Sequence, residues 1–199
     1  PPPPPPPPPP LHPPPPPTPT QFDRRRQRQM CIRDRLDTGS TTAYVARALS
    51  EHRNLSVVTN CTEIARTLAR EPSNRVHLCG GALRADDWAT FGSAAIDFVR
   101  QFHVNYAILS IGGVTDAGNF MDYHLEEAEF SRAVIAQAQQ TIVVADHSKF
   151  GNANFIKVCD FDEVDMVVIE RDPPTAILAQ LREAGVAVIA GTDQGDRPA

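Results

Sequence analysis

The sequence has no long hydrophobic run and no paired cysteine motif. No apolar stretch approaches the roughly 18 residues that a membrane-spanning helix needs, so a membrane protein is not expected. The four cysteines, Cys31, Cys61, Cys79 and Cys159, are scattered without a Cys-x-x-Cys motif, and no charged-then-apolar signal segment precedes them. These absences predict a soluble cytoplasmic protein with free thiols.

Lysine is scarce: the sequence after residue 35 contains only Lys149 and Lys157. Setting aside residues 1–35 removes six of the 19 basic and two of the 24 acidic side chains, which leaves a net charge of about −9 with histidine neutral. A domain this acidic is a poor nucleic-acid surface on its own. We therefore expect no DNA binding by this chain, and we assign the arginine cluster at 24–28 to a tail.

Proline is concentrated at the start, where 16 of the 20 prolines lie in the first twenty residues. Such a segment favours extended polyproline and has no core. Further along, Arg33, Asp34 and Arg35 cannot all be buried cheaply in a strand of a parallel sheet. We predict a disordered Pro/Arg-rich tail at 1–35 that is foreign to the protein, a folded domain at 36–192 and a flexible C-terminus at 193–199.

Helix-like and strand-like segments alternate beyond residue 36. Short apolar, β-branched runs indicate strands, and segments with helical periodicity lie between them. Strands this apolar, separated by helices, predict an α/β domain with a mostly parallel sheet between two helical layers. The predicted strands are 55–60, 76–79, 106–111, 141–145, 164–169 and 186–189, and the predicted helices are 41–50, 64–69, 89–101, 126–139 and 174–184.

Polar or glycine-rich loops follow several predicted strands, and in an open parallel sheet such loops converge at the edge where ligands bind. Residues 37–42 offer a carboxylate, a glycine and hydroxyls at a helix start, where free backbone N–H groups favour an anion. A simple helix cap with a turn glycine has the same composition. Lys149 suits the counter-charge of a phosphate ester, and a solvated surface lysine is its alternative.

Five motifs carry a resemblance to a known family. They resemble the C-terminal sensor domain of DeoR-type transcriptional regulators, especially the glycerol-3-phosphate repressor branch, over about Leu36 to Thr192. The motifs are Leu36-Asp37-Thr38-Gly39-Ser40-Thr41-Thr42, Val57-Val58-Thr59-Asn60, Leu78-Cys79-Gly80-Gly81-Ala82-Leu83-Arg84, Asp122-Tyr123-His124-Leu125-Glu126-Glu127-Ala128-Glu129 and Ala145-Asp146-His147-Ser148-Lys149-Phe150-Gly151.

The resemblance implies a three-layer α/β/α fold related to ribose-5-phosphate isomerase and coenzyme A transferases. It further implies a homo-oligomer that binds a phosphorylated sugar or polyol, with no cofactor. In the family an N-terminal winged helix-turn-helix reads operator DNA, and residues 1–35 cannot form such a module. We therefore expect a non-catalytic effector-sensing domain whose DNA reader is missing.

The resemblance also implies roles for particular residues. The phosphate would lie on residues 38–42 with Lys149 as counter-charge, and Asp37 would orient the loop or accept a hydrogen bond from an effector hydroxyl. Asparagine and glycine corners would form the walls, and Asp122 and Glu126 would add carboxylates, whereas Glu127 and Glu129 favour the helix start. The complete candidate site is Asp37, Thr38, Gly39, Ser40, Thr41, Thr42, Asn60, Gly80, Gly81, Gly112, Gly113, Asp122, Glu126 and Lys149.

Three alternatives accompany this interpretation. An aldose–ketose phosphate isomerase on the same scaffold would use Asp122 or Glu126 as base and Lys149 as its electrostatic partner. His124 and His147 could form a metal site with nearby carboxylates. The two histidines lack the spacing of a zinc site, so no metal is expected. Trp88 could lie at a subunit interface, although core packing is expected for it.

Overall fold

A computed structural model of the protein describes residues 33–36, 40–152 and 156–191. In these residues the helices are α1 (Ser40–Leu49), α2 (Thr62–Leu68), α3 (Ser93–Val99), α4 (Leu125–Ile135) and α5 (Thr175–Glu183), with 3-10 turns at His147–Lys149 and Phe161–Glu163. The strands are β1 (Arg33–Leu36), β2 (Ser56–Thr59), β3 (Arg75–Leu78), β4 (Ala82–Arg84), β5 (Ala89–Phe91), β6 (Val104–Ser110), β7 (Gly113–Val114), β8 (Asn119–Asp122), β9 (Ala138–Ala145), β10 (Ile156–Asp160), β11 (Met166–Ile169) and β12 (Ala187–Ala190).

Seven strands form one parallel sheet in the order β12-β11-β9-β6-β1-β2-β3. From β1 the chain builds β2 and β3 on one side, then returns to build β6, β9, β11 and β12 on the other. The order therefore reverses between the neighbouring strands β1 and β6. Such a switch point opens a crevice beyond the carboxyl ends of the two central strands.

Helices cover both faces of this sheet. Because crossovers between parallel strands are almost always right-handed, this strand order puts α1 and α2 on one face and the helices of the second half on the other. α1 packs against α2, and α3 packs against α4. Both α1 and α4 contact β6 and β9, so the central strands are covered twice. The predicted three-layer α/β/α architecture with a parallel sheet is confirmed.

Strands β6, β9 and β11 are buried chiefly at their apolar side chains, whereas three of the four residues of the central strand β1 are charged. Ala107 and Leu109 of β6 are fully buried, as are Val143 of β9 and Val167 of β11. A strand covered on both faces needs this composition, since any polar side chain there would lose its water. Among the described residues, no helix has the length and apolarity needed to cross a membrane.

Two small antiparallel sheets were not predicted. β10, β8 and β7 form one, and the hairpin β4–β5 forms the other. The predicted helix 89–101 is wrong at its start, because Ala89–Phe91 is strand β5 and the helix begins at Ser93. Gly92 separates the two with a φ of 89°, a conformation that favours glycine.

β1 begins at Arg33, three residues before the predicted domain start, while the rest of the predicted tail lies outside the described residues. The division into tail, domain and C-terminus stays a prediction. Cys61, Cys79 and Cys159 are buried thiols, and Cys31 is not described. Burial, helped by Glu163 and Asp160, raises the pKa of Cys159 to about 12, so this thiol stays protonated at neutral pH.

The expected core role of Trp88 is wrong. Its side chain is 57% exposed. Its φ is 55°, in the left-handed region that costs a non-glycine residue about 1 kcal/mol. The backbone holds this conformation because the carbonyl of Trp88 accepts bonds from both the N–H and the hydroxyl of Thr62, each at 2.9 Å.

Candidate functional site at the carboxyl edge of the sheet

The predicted phosphate loop follows β1, which lies between β2 and β6 in the sheet. Leu36 pairs with Thr59 of β2 and with Ile108 of β6, so the chain leaves β1 between the ends of its two neighbours. Asp37, Thr38 and Gly39 lie outside the described residues. α1 begins at Ser40, with no acidic residue in its first turn.

Among the described residues, the first turn of α1 therefore adds no side-chain carboxylate to the positive end of the helix. Its initial N–H groups have no partner within the helix, and the helix dipole favours an anion at this end. Thr41 is half-buried and Thr42 is fully buried. Of these two threonines, Thr41 is thus the one with exposed surface.

Asn60 forms a buried wall directly after β2. Its Nδ2 donates to the carbonyl of Thr90 at 3.0 Å, and its own carbonyl accepts the Thr90 N–H at 2.9 Å. Within the described part of the chain, its buried Oδ1 has no hydrogen-bond partner. An unsatisfied buried acceptor costs about 1–3 kcal/mol, so a donor from the neighbouring loop or from a ligand hydroxyl would stabilise it.

The glycines at the two candidate corners, 80–81 and 112–113, have different structural roles. Gly81 has a φ of 140°, and a Cβ on it would come within 2.9 Å of the Phe91 carbonyl, so the β4–β5 hairpin requires glycine there. Gly80 is exposed, and a Cβ on it would meet nothing within 4 Å. Gly112 is buried and donates its N–H to the Met121 carbonyl at 2.9 Å.

β7 joins three of the predicted site segments. Gly113 pairs with Met121, next to Asp122. Val114 forms a bridge with Phe150 and accepts the Gly151 N–H at 3.0 Å. The structure therefore brings Gly112 and Gly113, Asp122 and the turn that carries Lys149 together beyond the ends of β6 and β9.

Lys149 sits at the end of a tight 3-10 turn capped by Asp146. The carboxylate of Asp146 accepts the Ser148 N–H at 2.9 Å and also the Ser148 hydroxyl. The Ser148 hydroxyl, followed by that N–H and the charge of Lys149, holds the pKa of Asp146 below its usual range. Lys149 is half-buried, and no carboxylate oxygen of the described residues lies within 4.0 Å of its Nζ.

The predicted carboxylates divide between buried and exposed. Asp122 is 5% exposed, and its Oδ1 accepts the Tyr123 N–H at 2.7 Å. Glu126 is exposed in the first turn of α4. Asp122 is thus a fixed part of the wall, whereas Glu126 is free to contact solvent or a ligand.

Comparison with known proteins decides what kind of domain this is. Residues 28–171 match the family model described as the DeoR C terminal sensor domain. The chain belongs to this family. It is 34% identical over 148 residues to the glycerol-3-phosphate regulon repressor of Escherichia coli (strain K12), covering 74% of this chain and 59% of that protein.

Other relatives are also repressors by name. The HTH-type transcriptional repressor CsqR of the same organism is 29% identical over 151 residues, covering 76% of this chain and 58% of that protein. The HTH-type transcriptional repressor GlcR of Bacillus subtilis (strain 168) is 29% identical over 154 residues, covering 77% and 59%. The chain thus spans about three fifths of the length of these relatives.

Among solved structures, ribose 5 phosphate isomerase A from Neisseria gonorrhoeae matches with a TM-score of 0.41 and 17% identity, covering 59% of this chain and 45% of that one. A D-ribose-5-phosphate isomerase in complex with phospho-erythronic acid matches with a TM-score of 0.43 and 15% identity, covering 64% and 50%. These likenesses concern the fold, and no activity follows from them.

The DeoR-type domain also contains an ion-pair cluster that sequence reasoning missed. Arg84 Nε donates to Asp87 at 3.1 Å, and its Nη2 contacts both Asp87 and Glu127. The guanidinium lies over the Phe91 ring, 4.2 Å from its centroid. Hydrogen bonding to Asp87, with Glu127 in support, raises the pKa of Arg84 further. Arg84 belongs to the sequence motif at 78–84, but its partner Glu127 lies 43 residues away. No local sequence pattern could have predicted that they pair.

The candidate metal ligands do not form a metal group in the described residues. There, the side chains close enough to share an ion are the exposed Asp160, Asp162 and Glu163, none of which belongs to the candidate set. Asp160 pairs with Lys157 at 2.6 Å and Glu163 caps the Asp160 N–H at 2.8 Å, so this cluster has local roles.

Proposed function

We propose that this sensor domain binds a phosphorylated sugar or polyol, with glycerol 3-phosphate as the first candidate, in the crevice between β1 and β6. The phosphate lies at the start of α1, on the loop of residues 37–42. Lys149 supplies the counter-charge, and the effector hydroxyls face Asn60 and Asp122.

One observation carries this proposal. At the switch point of the sheet, α1 starts without a carboxylate in its first turn. Lys149 lies in a nearby turn, and no carboxylate oxygen of the described residues is within 4.0 Å of its Nζ. A helix start without a carboxylate in its first turn and an ammonium without a described carboxylate within 4.0 Å attract the same ligand charge. The buried Oδ1 of Asn60 adds an acceptor suited to a hydroxyl.

We further infer that the domain acts as a homo-oligomeric switch in the cytoplasm. Effector binding would shift the arrangement of the subunits, and with it the operator affinity of an N-terminal reader module outside this chain. The names of the relatives support this role, since each is a transcriptional repressor.

Thermal unfolding and calorimetry with the full chain test the effector assignment. Glycerol 3-phosphate should raise the melting temperature and give a 1:1 isotherm, whereas glycerol and inorganic phosphate at equal concentration should act much more weakly. A panel of phosphorylated trioses, pentoses and hexoses then ranks the effectors. If no member of the panel shifts the melting temperature, the assignment is wrong.

We also propose that the domain is not an isomerase. Of the two candidate bases, Glu126 is exposed and Asp122 is nearly buried against the backbone N–H of Tyr123. NMR of sugar phosphates incubated with the protein should show no interconversion over hours. Turnover that is lost in Asp122→Asn would overturn this inference.

A further inference from the structure

Trp88 is presented to solvent in a fixed position beside α2. It lies in the turn between β4 and β5, and its carbonyl is bonded twice to Thr62, the first residue of α2. A tryptophan that is 57% exposed and held in a left-handed backbone conformation is an unusual surface feature. Tryptophan and arginine are the residue types that most often dominate protein interfaces.

The exposed ridge of α2 has a charge order that complements itself. Glu63 lies in its first turn and Arg66 follows one turn later on the same side. Arg70 lies in the turn just after the helix and lines the same cleft as Glu63 and Arg66. Both arginines are exposed, and neither has an ion-pair partner among the described residues. Glu63 is 44% exposed, with Arg47 at 3.5 Å.

Clefts border this ridge on two sides. One, of about 420 Å³, lies between α1 and α2, and its charged lining is Arg47, Arg66 and Arg70 with Glu63 and Glu71. The other, of about 360 Å³, is lined by Thr62, Glu63, Arg66 and Trp88. The ridge of one copy can therefore pack into a cleft of a second copy, and the reverse.

We propose that this surface, the α2 ridge with Trp88, binds the same surface of a second copy about a two-fold axis. A two-fold contact sets residue i against j and j against i. With the two helices antiparallel, Glu63 of one copy faces Arg70 of the other, and the reverse pair forms at the opposite end. Each Trp88 enters a cleft beside the ridge of the other copy.

The inference rests on the homo-oligomer proposed above and is independent of effector binding. Sedimentation velocity of the full chain over a range of concentrations should show a monomer–dimer equilibrium. Because Trp88 is the only tryptophan of the chain, its fluorescence emission should shift to shorter wavelength as the dimer forms.

Charge reversal provides the decisive test. Arg70→Glu and Glu63→Arg should each weaken the dimer at least about tenfold, and the double variant should restore it. Trp88→Gly should also weaken the dimer at least about tenfold, and it keeps the fold because glycine accepts a φ of 55°. Arg182→Glu, on the exposed side of α5, is the matched control and should leave the dimer unchanged.

Three results would overturn the proposal, and each excludes a different part of it. A chain that stays monomeric at all concentrations removes both the oligomer and this interface. A dimer that survives Arg70→Glu and Trp88→Gly removes the interface alone. Single variants that dissociate without rescue in the double variant remove the antiparallel pairing. Calorimetry with glycerol 3-phosphate reports separately on the effector site.

Discussion

The starts of α1 and α4 differ in how their positive ends are satisfied. α4 carries Glu126 and Glu127 in its first turn, and Glu127 is further tied to Arg84. α1 has no acidic residue in its first turn and begins at the switch point of the sheet. One helix start thus has carboxylates in its first turn, and the other has none in its first turn, which fits the proposed phosphate site there.

The two basic side chains near this edge follow the same division. Arg84 is held by two carboxylates and a phenyl ring, so its charge is already satisfied. Lys149 has no carboxylate oxygen of the described residues within 4.0 Å, and its turn is held in shape by Asp146. We therefore expect Arg84 to stabilise the fold and Lys149 to serve the proposed effector.

The largest expected effect comes from making α1 resemble α4. Thr41→Glu places a carboxylate in the first turn of α1, where it competes with the phosphate. Like-charge repulsion of this kind costs about 3 kcal/mol, which corresponds to at least about 100-fold weaker binding of glycerol 3-phosphate by calorimetry. Thr41→Gln has the same size without the charge and should weaken binding less than about tenfold. Equal losses in the two variants would contradict the electrostatic explanation.

Removing the counter-charge should have the next largest effect. Lys149→Ala should weaken effector binding about 10–100-fold, because hydrogen bonds to charged groups contribute about 1.5–3 kcal/mol. The melting temperature without effector should change little. Lys157→Ala is the matched control, since Lys157 is exposed and paired with Asp160. Undiminished affinity in Lys149→Ala would show that the phosphate binds elsewhere.

Breaking the Arg84 cluster should damage stability rather than binding. Arg84→Met leaves Asp87 and Glu127 with unpaired, partly buried charges, which costs about 1–3 kcal/mol of unfolding free energy. Thermal unfolding should occur about 3–10 °C lower, while the affinity for glycerol 3-phosphate changes less than about threefold. A binding loss as large as that of Lys149→Ala would show that Arg84 contacts the effector.

The smallest expected effect concerns the Asp146 turn. Its pKa is lowered in the folded state, so the folded state favours the ionised carboxylate. The resulting stability is present at neutral pH and is lost as pH falls below about 4, the ordinary carboxyl range. In thermal unfolding between pH 7 and 3, Asp146→Asn should show a smaller loss of stability than the natural sequence. Identical pH profiles would mean that the cap contributes nothing.

The pattern of apolar runs was enough to predict the parallel sheet and the edge at which its loops meet. The strand around 106–111 and the helix around 41–50 were confirmed as β6 and α1, because both depend on local periodicity. The hairpin β4–β5 was missed because its strands have three residues each, too short for a periodic signal.

The functions of individual side chains were harder to predict, because tertiary contacts decide them. The exposure of Trp88 depends on hydrogen bonds to Thr62, 26 residues earlier. The pairing of Arg84 with Glu127 spans 43 residues. Of the candidate site, Asp37, Thr38 and Gly39 lie outside the described residues, so their phosphate role stays a prediction, as does that of the other site residues.

The central claim is that the start of α1, and not that of α4, binds the effector phosphate. An amide NMR titration with glycerol 3-phosphate tests this directly, because each helix start has its own N–H signals. We expect the largest shifts at Ser40–Thr42 and around Lys149, with small changes at residues 125–127. Large shifts at 125–127 with unchanged signals at Ser40–Thr42 would contradict the account.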